Sequence, residues 1–223
     1  IPQNRERLIF IGNKLKLDNN QIFKEIENKK ISNVPTLKEA ILDLNVLEAS
    51  KLKNKTNIIT EKTGGIVIKN KDLSTNNYLS TINLKHNKSI ITFNHQARYN
   101  NSRDIEIFSR LHQGNKSDDP KIADIMPYKN RNHIFKDKYY KLIYDNVCKT
   151  ITAHMKFDCN MYIHPTQARG LTPREAARIQ SYPDNYVFKG TFTKTYMQIG
   201  NSVPPLLGRT IAHILKKYLK ERI

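Results

Sequence analysis

Apolar and polar residues follow one another along this chain in short bursts whose period changes from segment to segment. Leu8 to Ile11 is an unbroken apolar run closed by Gly12, the pattern of a short buried strand. Between residues 18 and 30, Ile22, Phe23 and Ile26 form the apolar side of a short helix. Thr36 with Glu39 makes a capping box, and Ala40, Ile41 and Leu44 continue at helical spacing. Residues 50 to 90 break into β-branched runs at Asn57–Thr60, Ile66–Ile68 and Ser89–Thr92, with Gly64-Gly65 as a hairpin turn, so small strands and basic loops are expected. Ser102 to Gly114 predicts a helix with Ser102 as cap, Asp104 and Glu106 at the positive end of the dipole, and Gly114 as its stop. Thr150 to Thr152 favours extended backbone.

The strongest local pattern lies further on. In LTPREAARIQSYP, Thr172 caps a helix, Pro173 takes its first position, Glu175 completes a capping box, Ala177 and Ile179 point inward, and Pro183 marks the stop. A last helix is predicted from about Pro204 to Lys220. Leu207, Ile211, Ile214, Leu215 and Tyr218 form its apolar face, with Lys216, Lys217 and Lys220 outside.

Charge narrows the choice of partner. The 223 residues carry 38 Lys and Arg against 20 Asp and Glu, a net charge of +18, which points to a polyanion and most often to nucleic acid. A membrane surface fits less well: no run spans a bilayer, and the C-terminal helix is the sole basic amphipathic segment. No signal-peptide pattern opens the chain. Cys148 and Cys159 do not make a disulfide framework, which suits a reducing cytoplasm. Cys148, His154, Cys159 and His164, separated by five, four and four residues, are spaced too loosely for a zinc ribbon or finger, and no metal is expected.

Taken together, IPQNRERLIFIG, RGLTPREAARIQSYPDNYVF and QIGNSVPPLLGRTIA resemble, in order, the last conserved motifs of the cytosine-5 DNA methyltransferases. ITFNHQARYNNSRDIEIFSRL resembles a segment of a bacterial subset of that family. The resemblance implies a two-domain enzyme: a large Rossmann-like domain that binds S-adenosylmethionine and holds a catalytic cysteine, and a small domain that reads double-stranded DNA. The target cytosine would be flipped out of the duplex, because chemistry on a stacked base is blocked. It further implies that Arg7 contacts O2 of the flipped cytosine, that Arg5 and Gln3 support the site, and that Asn201, Ser202 and Val203 approach the cofactor. In it, Arg169, Thr172, Arg174, Glu175 and Arg178 brace the recognition region. Thr172, Glu175 and Arg178 are the structural members, and Arg169 and Arg174 are also candidate phosphate contacts. On residue type, Thr92, Asn94, His95 and Arg98 could face DNA or form a hydrogen-bonded turn. The lysines from 51 to 88 would be mostly a solvated face, with some at phosphates.

Departures from the family bound this expectation. The glycine-rich cofactor motif, the Pro-Cys dipeptide of the nucleophile and the Glu-Asn-Val of the catalytic glutamate are absent, and neither cysteine lies in a catalytic context. The expected fold is therefore α/β or α+β. A small target-recognition domain of mixed short strands and helices occupies residues 16–198. Residues 1–15 and 199–223 complete a Rossmann-like methyltransferase domain not otherwise present. Leu8–Ile11 and the last helix would pack on a sheet the chain does not contain, so a partner is expected: the missing N-terminal catalytic domain or a separate catalytic subunit. The alternative is a non-catalytic DNA-binding module derived from such an enzyme. A bacterial, cytoplasmic, nucleoid-associated setting follows from either reading.

Overall fold

The structure is a computed structural model and describes residues 1–53, 59–65, 67–69, 76–83, 91–127, 134 and 138–220, the side chains at 67–69 and 220 excepted. Side-chain caps set most helix starts. Asp18 opens α1 (Asn19–Glu27), and the predicted Thr36–Glu39 box opens α2 (Leu37–Ile41). Asn76 caps α3 (Asn77–Ile82). Asn101, not Ser102, caps α4 (Ser102–Arg110): its Oδ1 accepts the Asp104 N–H at 2.8 Å. That helix stops at Arg110, because Leu111 turns extended, and Gly114 serves instead in the loop beyond, at φ 85°. Thr172 and Glu175 form the predicted box at the head of α5 (Pro173–Ile179). Thr191 caps α6 (Phe192–Asn201), a helix that the sequence pattern does not predict. α7 runs Pro205–Lys220.

Strands are short. β1 (Gln3–Asn4) pairs in parallel with β4 (Cys148–Lys149), Gln3 opposite Cys148. β2 (Val67–Lys69) pairs antiparallel with β3 (Ile91–Phe93), Val67 opposite Phe93. Of the strands predicted at 57–60, 66–68 and 89–92, residues 57, 58, 66, 89 and 90 lie outside the described residues. Gly64 closes a turn on Thr60 at φ 75°, as its place in the hairpin expectation required.

The largest core cluster joins α2, α3, α5 and α6 to Ile151, Met155, Cys159 and Tyr162. A second sits under α4, where Ile107, Phe108 and Leu111 meet Ile122, Tyr139 and Ile163. Each such fully buried aliphatic side chain contributes about 1.5–3 kcal/mol relative to exposure.

Two expectations about the chain ends give way here. Leu8–Ile11 is neither a strand nor buried: Leu8 is 87% exposed and Phe10 89%. The last helix does not depend wholly on an external sheet, since Ile214 and Tyr218 pack on Ile22 of α1, with Ile11, Leu17 and Leu215 around them. Ile11, Leu17, Ile22 and Ile26 thus share a small core cluster with the C-terminal helix. α6 belongs to the main core through Tyr196 and Ile199.

Candidate functional site

β1 brings the N-terminal segment into the middle of the fold. The Gln3 side chain is buried. Its Oε1 accepts the Ile151 N–H at 3.0 Å, and its Nε2 donates to Gln180 Oε1 at 2.6 Å. Gln180, one residue past α5, in turn donates to the Ile199 carbonyl of α6 at 2.9 Å. This relay of two amides ties β1, the residues after β4, α5 and α6 together. Arg5 strengthens it by donating to the Ile151 carbonyl at 2.6 Å and the Gly200 carbonyl at 3.3 Å. Burial lowers the Arg5 pKa, and the like charge of Arg7 adds to the shift. Gln3 and Arg5 are therefore internal fasteners, whereas Arg7 is exposed, with Nη1 donating to the neighbouring Glu6 carbonyl.

Beside β1 and β4 lies an open cavity of about 560 Å³ lined by Asn4, Lys149, Thr150, Thr152, His154, Met161 and Tyr162. Thr150 Oγ1 donates to the Asn4 carbonyl, and Lys149 lies over the rings of Tyr140 (5.2 Å) and Tyr162 (5.7 Å). Sequence reasoning gave no site role to Lys149, Thr150 or Gln180 and weighed His154 only as a metal ligand. The nearby signals were the extended Thr-Ile-Thr run and, for Gln180, the family-like segment that contains it.

α6 and α7 meet at Asn201–Val203. Asn201 ends α6 with its side chain exposed, and Val203 is 64% exposed. Ser202, which the resemblance brings toward the cofactor, is the C-cap of α6, its Oγ donating to the Ile199 carbonyl at 2.7 Å. The Leu206 N–H at the head of α7 is bonded to Ser181 Oγ at 3.1 Å, and Pro204 and Pro205 have no N–H to offer.

The organising segment is more deeply buried than its composition suggests. Every residue of α5 is buried. Arg169 holds Glu175 in a bidentate pair. Arg178 holds Asp184 at 2.7 and 2.8 Å and also pairs with Asp43. Arg174 donates to the Phe93, Pro183 and Tyr186 carbonyls and lies over the Phe188 ring at 5.8 Å. Burial pushes Arg174 down to about 10. Burial alone would raise Glu175; the Arg169 charge and hydrogen bonds outweigh it and hold the carboxylate far below its usual range. For Arg178, the two aspartates outweigh burial and push the pKa up. Thr172 caps α5, and Glu175 and Arg178 are held in buried ion pairs. The guanidinium groups of Arg169 and Arg174, the candidate phosphate contacts, are sealed in the interior.

The same holds for the segment before α4. His95 is fully buried, its Nε2–H donating to the Asn45 carbonyl at 2.9 Å and its Nδ1 accepting from the Thr172 hydroxyl at 3.1 Å. Thr92 is fully buried. Asn94 takes φ 64° and locks Phe188 by exchanging amide bonds with its N–H and carbonyl. Arg98 donates to the Met155 and Phe157 carbonyls at 2.9 and 3.0 Å and lies over Tyr196. Asn94, His95 and Arg98 are bonded inward here, whereas the buried Thr92 hydroxyl has no hydrogen-bond partner among the described residues. Lys51, Lys53 and Lys62 are exposed, while Lys55, Lys71, Lys85 and Lys88 lie outside the described residues.

Cys148 and Cys159 are buried, and burial pushes the Cys148 thiol up to about 12 and raises that of Cys159. Among the described residues, no group of three or more His, Cys, Asp or Glu is arranged to hold a metal ion. Nor is any described helix long and apolar enough to cross a membrane.

Residues 1–217 match the C-5 cytosine-specific DNA methylase family. The chain belongs to that family. Among other members of the C-5 cytosine-specific DNA methylases, it is 34% identical to the type II methyltransferase M.Bpa9945I of Bacillus paralicheniformis, across 97% of this chain and 48% of that protein. It is 30% identical to the type II methyltransferase M.DdeI of Desulfomicrobium norvegicum, across 99% of this chain and 52% of that protein. The chain thus spans about half the length of these relatives. The fold is shared with the crystal structure of an E. coli prophage protein assigned as a DNA modification methyltransferase, with a TM-score of 0.58 and 21% identity over 86% of this chain and 49% of the other.

Proposed function

We propose that this chain is the C-terminal, target-recognising part of a DNA (cytosine-5-)-methyltransferase of a restriction–modification system. The whole enzyme would transfer a methyl group to C5 of a flipped cytosine in a specific duplex sequence. The observation that carries the reading is the Gln3–Gln180–Ile199 relay, which brings the three family-like segments to one place. In this reading Arg7, exposed beyond the β1–β4 pair, donates to O2 of the extruded cytosine. Arg5 and Gln3 fix the strand that carries it, in keeping with arginine's permanent charge and rigid donor fork. α5 and its buried ion pairs hold the recognition region against that strand.

S-adenosylmethionine supplies the methyl group when bound. The exposed Asn201 and Val203 at the α6–α7 junction suit one wall of its site; Ser202, with its hydroxyl turned back to Ile199, does not. The nucleophile belongs elsewhere, since both cysteines here are buried thiols. Exposed Leu8 and Phe10 are apolar side chains of the kind that a catalytic domain would cover, whether it is the rest of the same polypeptide or a separate subunit. Double-stranded DNA is the partner that matches the net charge of +18, and the setting is a bacterial cytoplasm at the nucleoid.

Native mass spectrometry of the protein from its source, followed by methyl-transfer assay on duplex DNA, tests this. A covalent chain well above 26.0 kDa, or a second chain carrying a Pro-Cys motif, with methyl transfer, is expected. A lone 26.0 kDa species that binds DNA without methylating it would overturn the enzyme reading and leave a DNA-binding module.

A further inference from the structure

We infer that the short 3-10 turn Ala153–Lys156 with Phe157 is a preformed DNA-contacting prong, in which Phe157 stacks against bases exposed where the duplex is unstacked. Phe157 is 62% exposed, although phenylalanine is among the residues most often buried. The main chain that carries it is held in place. Its carbonyl and that of Met155 are gripped by the Arg98 guanidinium, and Arg98 is itself fixed over the Tyr196 ring. The other side of the turn is pressed on α6 so closely that a Cβ on Gly200 would lie 2.1 Å from the Ala153 nitrogen. The turn is therefore braced from both sides while its tip faces solvent.

The tip carries a suitable combination of groups. The Lys156 ammonium lies 4.7 Å from the Phe157 ring centroid, and the exposed His154 ring packs edge-on against it at 5.2 Å. His154 also lines the cavity that holds Lys149 and Thr150. An aromatic face beside cationic and hydrogen-bonding side chains is the composition that binds unstacked nucleic acid, with the ring on a base and the cation near phosphate. The net charge of +18 favours the same partner. The rigid bracing lowers the ordering cost of contact. Arg98, a candidate DNA contact by residue type, thereby acts on DNA indirectly, through the turn it anchors.

This inference rests on the chain being a DNA-recognising part, and one experiment separates the two. Fluorescence anisotropy of the chain is measured with a mixed-sequence duplex of about 30 base pairs, long enough to cover a specific protein–DNA footprint, and with the same duplex carrying one abasic site. The wild-type chain is expected to bind both and to prefer the abasic duplex. Phe157→Ala should weaken abasic binding about tenfold, remove the preference and affect the intact duplex little. Phe157→Trp should restore the preference. Lys156→Ala should weaken both duplexes alike and reduce the slope of affinity against salt by about one. If wild type binds neither duplex, the DNA-recognition reading fails and the prong with it. If wild type binds and Phe157→Ala leaves the abasic preference intact, the prong alone is overturned. Because the Phe157 ring is exposed, these variants should keep the fold, and circular dichroism of each one checks it.

Discussion

Arg169 and Glu175 face each other as a fork on a carboxylate, Nη1 to Oε2 at 2.8 Å and Nη2 to Oε1 at 2.6 Å, with both side chains 1% exposed. The same carboxylate accepts the Thr172 N–H at 2.7 Å, so one group serves both the helix cap and the ion pair. Glu175→Gln keeps an oxygen for the cap but leaves the Arg169 charge buried without its counter-ion. Removing one partner of a buried pair costs about 3–5 kcal/mol. Urea unfolding should therefore show a loss of that order, and Thr172→Ala, which removes the cap hydroxyl, a smaller one of about 1–2 kcal/mol. Equal stability of wild type and Glu175→Gln would mean that the pair is not formed in solution.

Acid should unfold the protein early, through its buried histidines. Burial drives His95 down to about 4 and His164 to about 3 from an ordinary 6.5. For His164 the geometry adds a reason. Its Nδ1 accepts two backbone N–H groups, from Thr166 and Gln167, and cannot do so once protonated. The unfolded chain takes up these protons near pH 6.5, and the folded chain only far below, so stability falls as pH falls through that window. For His95 alone the full loss is on the order of 3 kcal/mol. Glu175, depressed in the fold, contributes above its ordinary value of 4.5 and loses that contribution as pH drops further. Urea midpoints measured at about pH 7.5, 6 and 5, spanning the ordinary histidine range, should decline in that order. His164→Asn, which keeps an acceptor but does not titrate, should flatten the decline. A midpoint that is constant or rising toward acid would contradict this account.

Local chemistry was legible in the sequence at the two capping boxes and along the apolar face of the last helix, but not at the cap of α4 or at α6. The Thr36–Glu39 and Thr172–Glu175 boxes, Pro173 at N1, and the Ile214 and Tyr218 face of α7 are all formed. What was not legible depends on groups distant in the chain. Gln180 reads as an ordinary residue past a helix end, yet it links Gln3 to Ile199. By type Arg98 is open to either DNA or an inward turn, and Arg169 and Arg174 read as braces with a candidate phosphate contact; each is bonded inward, because buried loop carbonyls need donors that arginine supplies in a fixed fork. Leu8–Ile11 has the composition of a buried strand, yet Leu8 and Phe10 meet no described surface that covers them. α6 escaped because its polar Thr-Lys-Thr start and internal Gly200 hide the Tyr196 and Ile199 face.

The two thiols should be silent toward solution reagents. Both are buried, and burial raises both pKa values, so little thiolate exists at neutral pH and little surface is offered to an attacking disulfide. Ellman's reagent at about pH 8, near the pKa of a free thiol, should label neither Cys148 nor Cys159 within minutes in native buffer, and both promptly in guanidinium. Prompt labelling of the native chain would show an accessible thiolate and reopen the question of a nucleophile within these residues.

Two glycines on the C-terminal helices should respond to alanine in opposite directions. A Cβ on Gly200 would stand 2.1 Å from the Ala153 nitrogen and 2.2 Å from the Thr152 carbonyl carbon, both main-chain atoms that cannot swing aside. Gly200→Ala must separate α6 from the 3-10 turn, and overpacking of this kind costs about 1–3 kcal/mol. Arg5, bonded to the Gly200 carbonyl, would lose alignment with it, so β1 should exchange its amide hydrogens faster in this variant. At Gly208, inside α7, a Cβ would meet nothing within 4 Å, and alanine there should gain about 0.5–1 kcal/mol from helix propensity alone. Thermal unfolding of the two variants beside wild type decides the matter: Gly200→Ala should melt lower and Gly208→Ala higher. Should Gly200→Ala melt with wild type, the close seating of α6 on Ala153, and with it the bracing of the Phe157 prong, would be wrong.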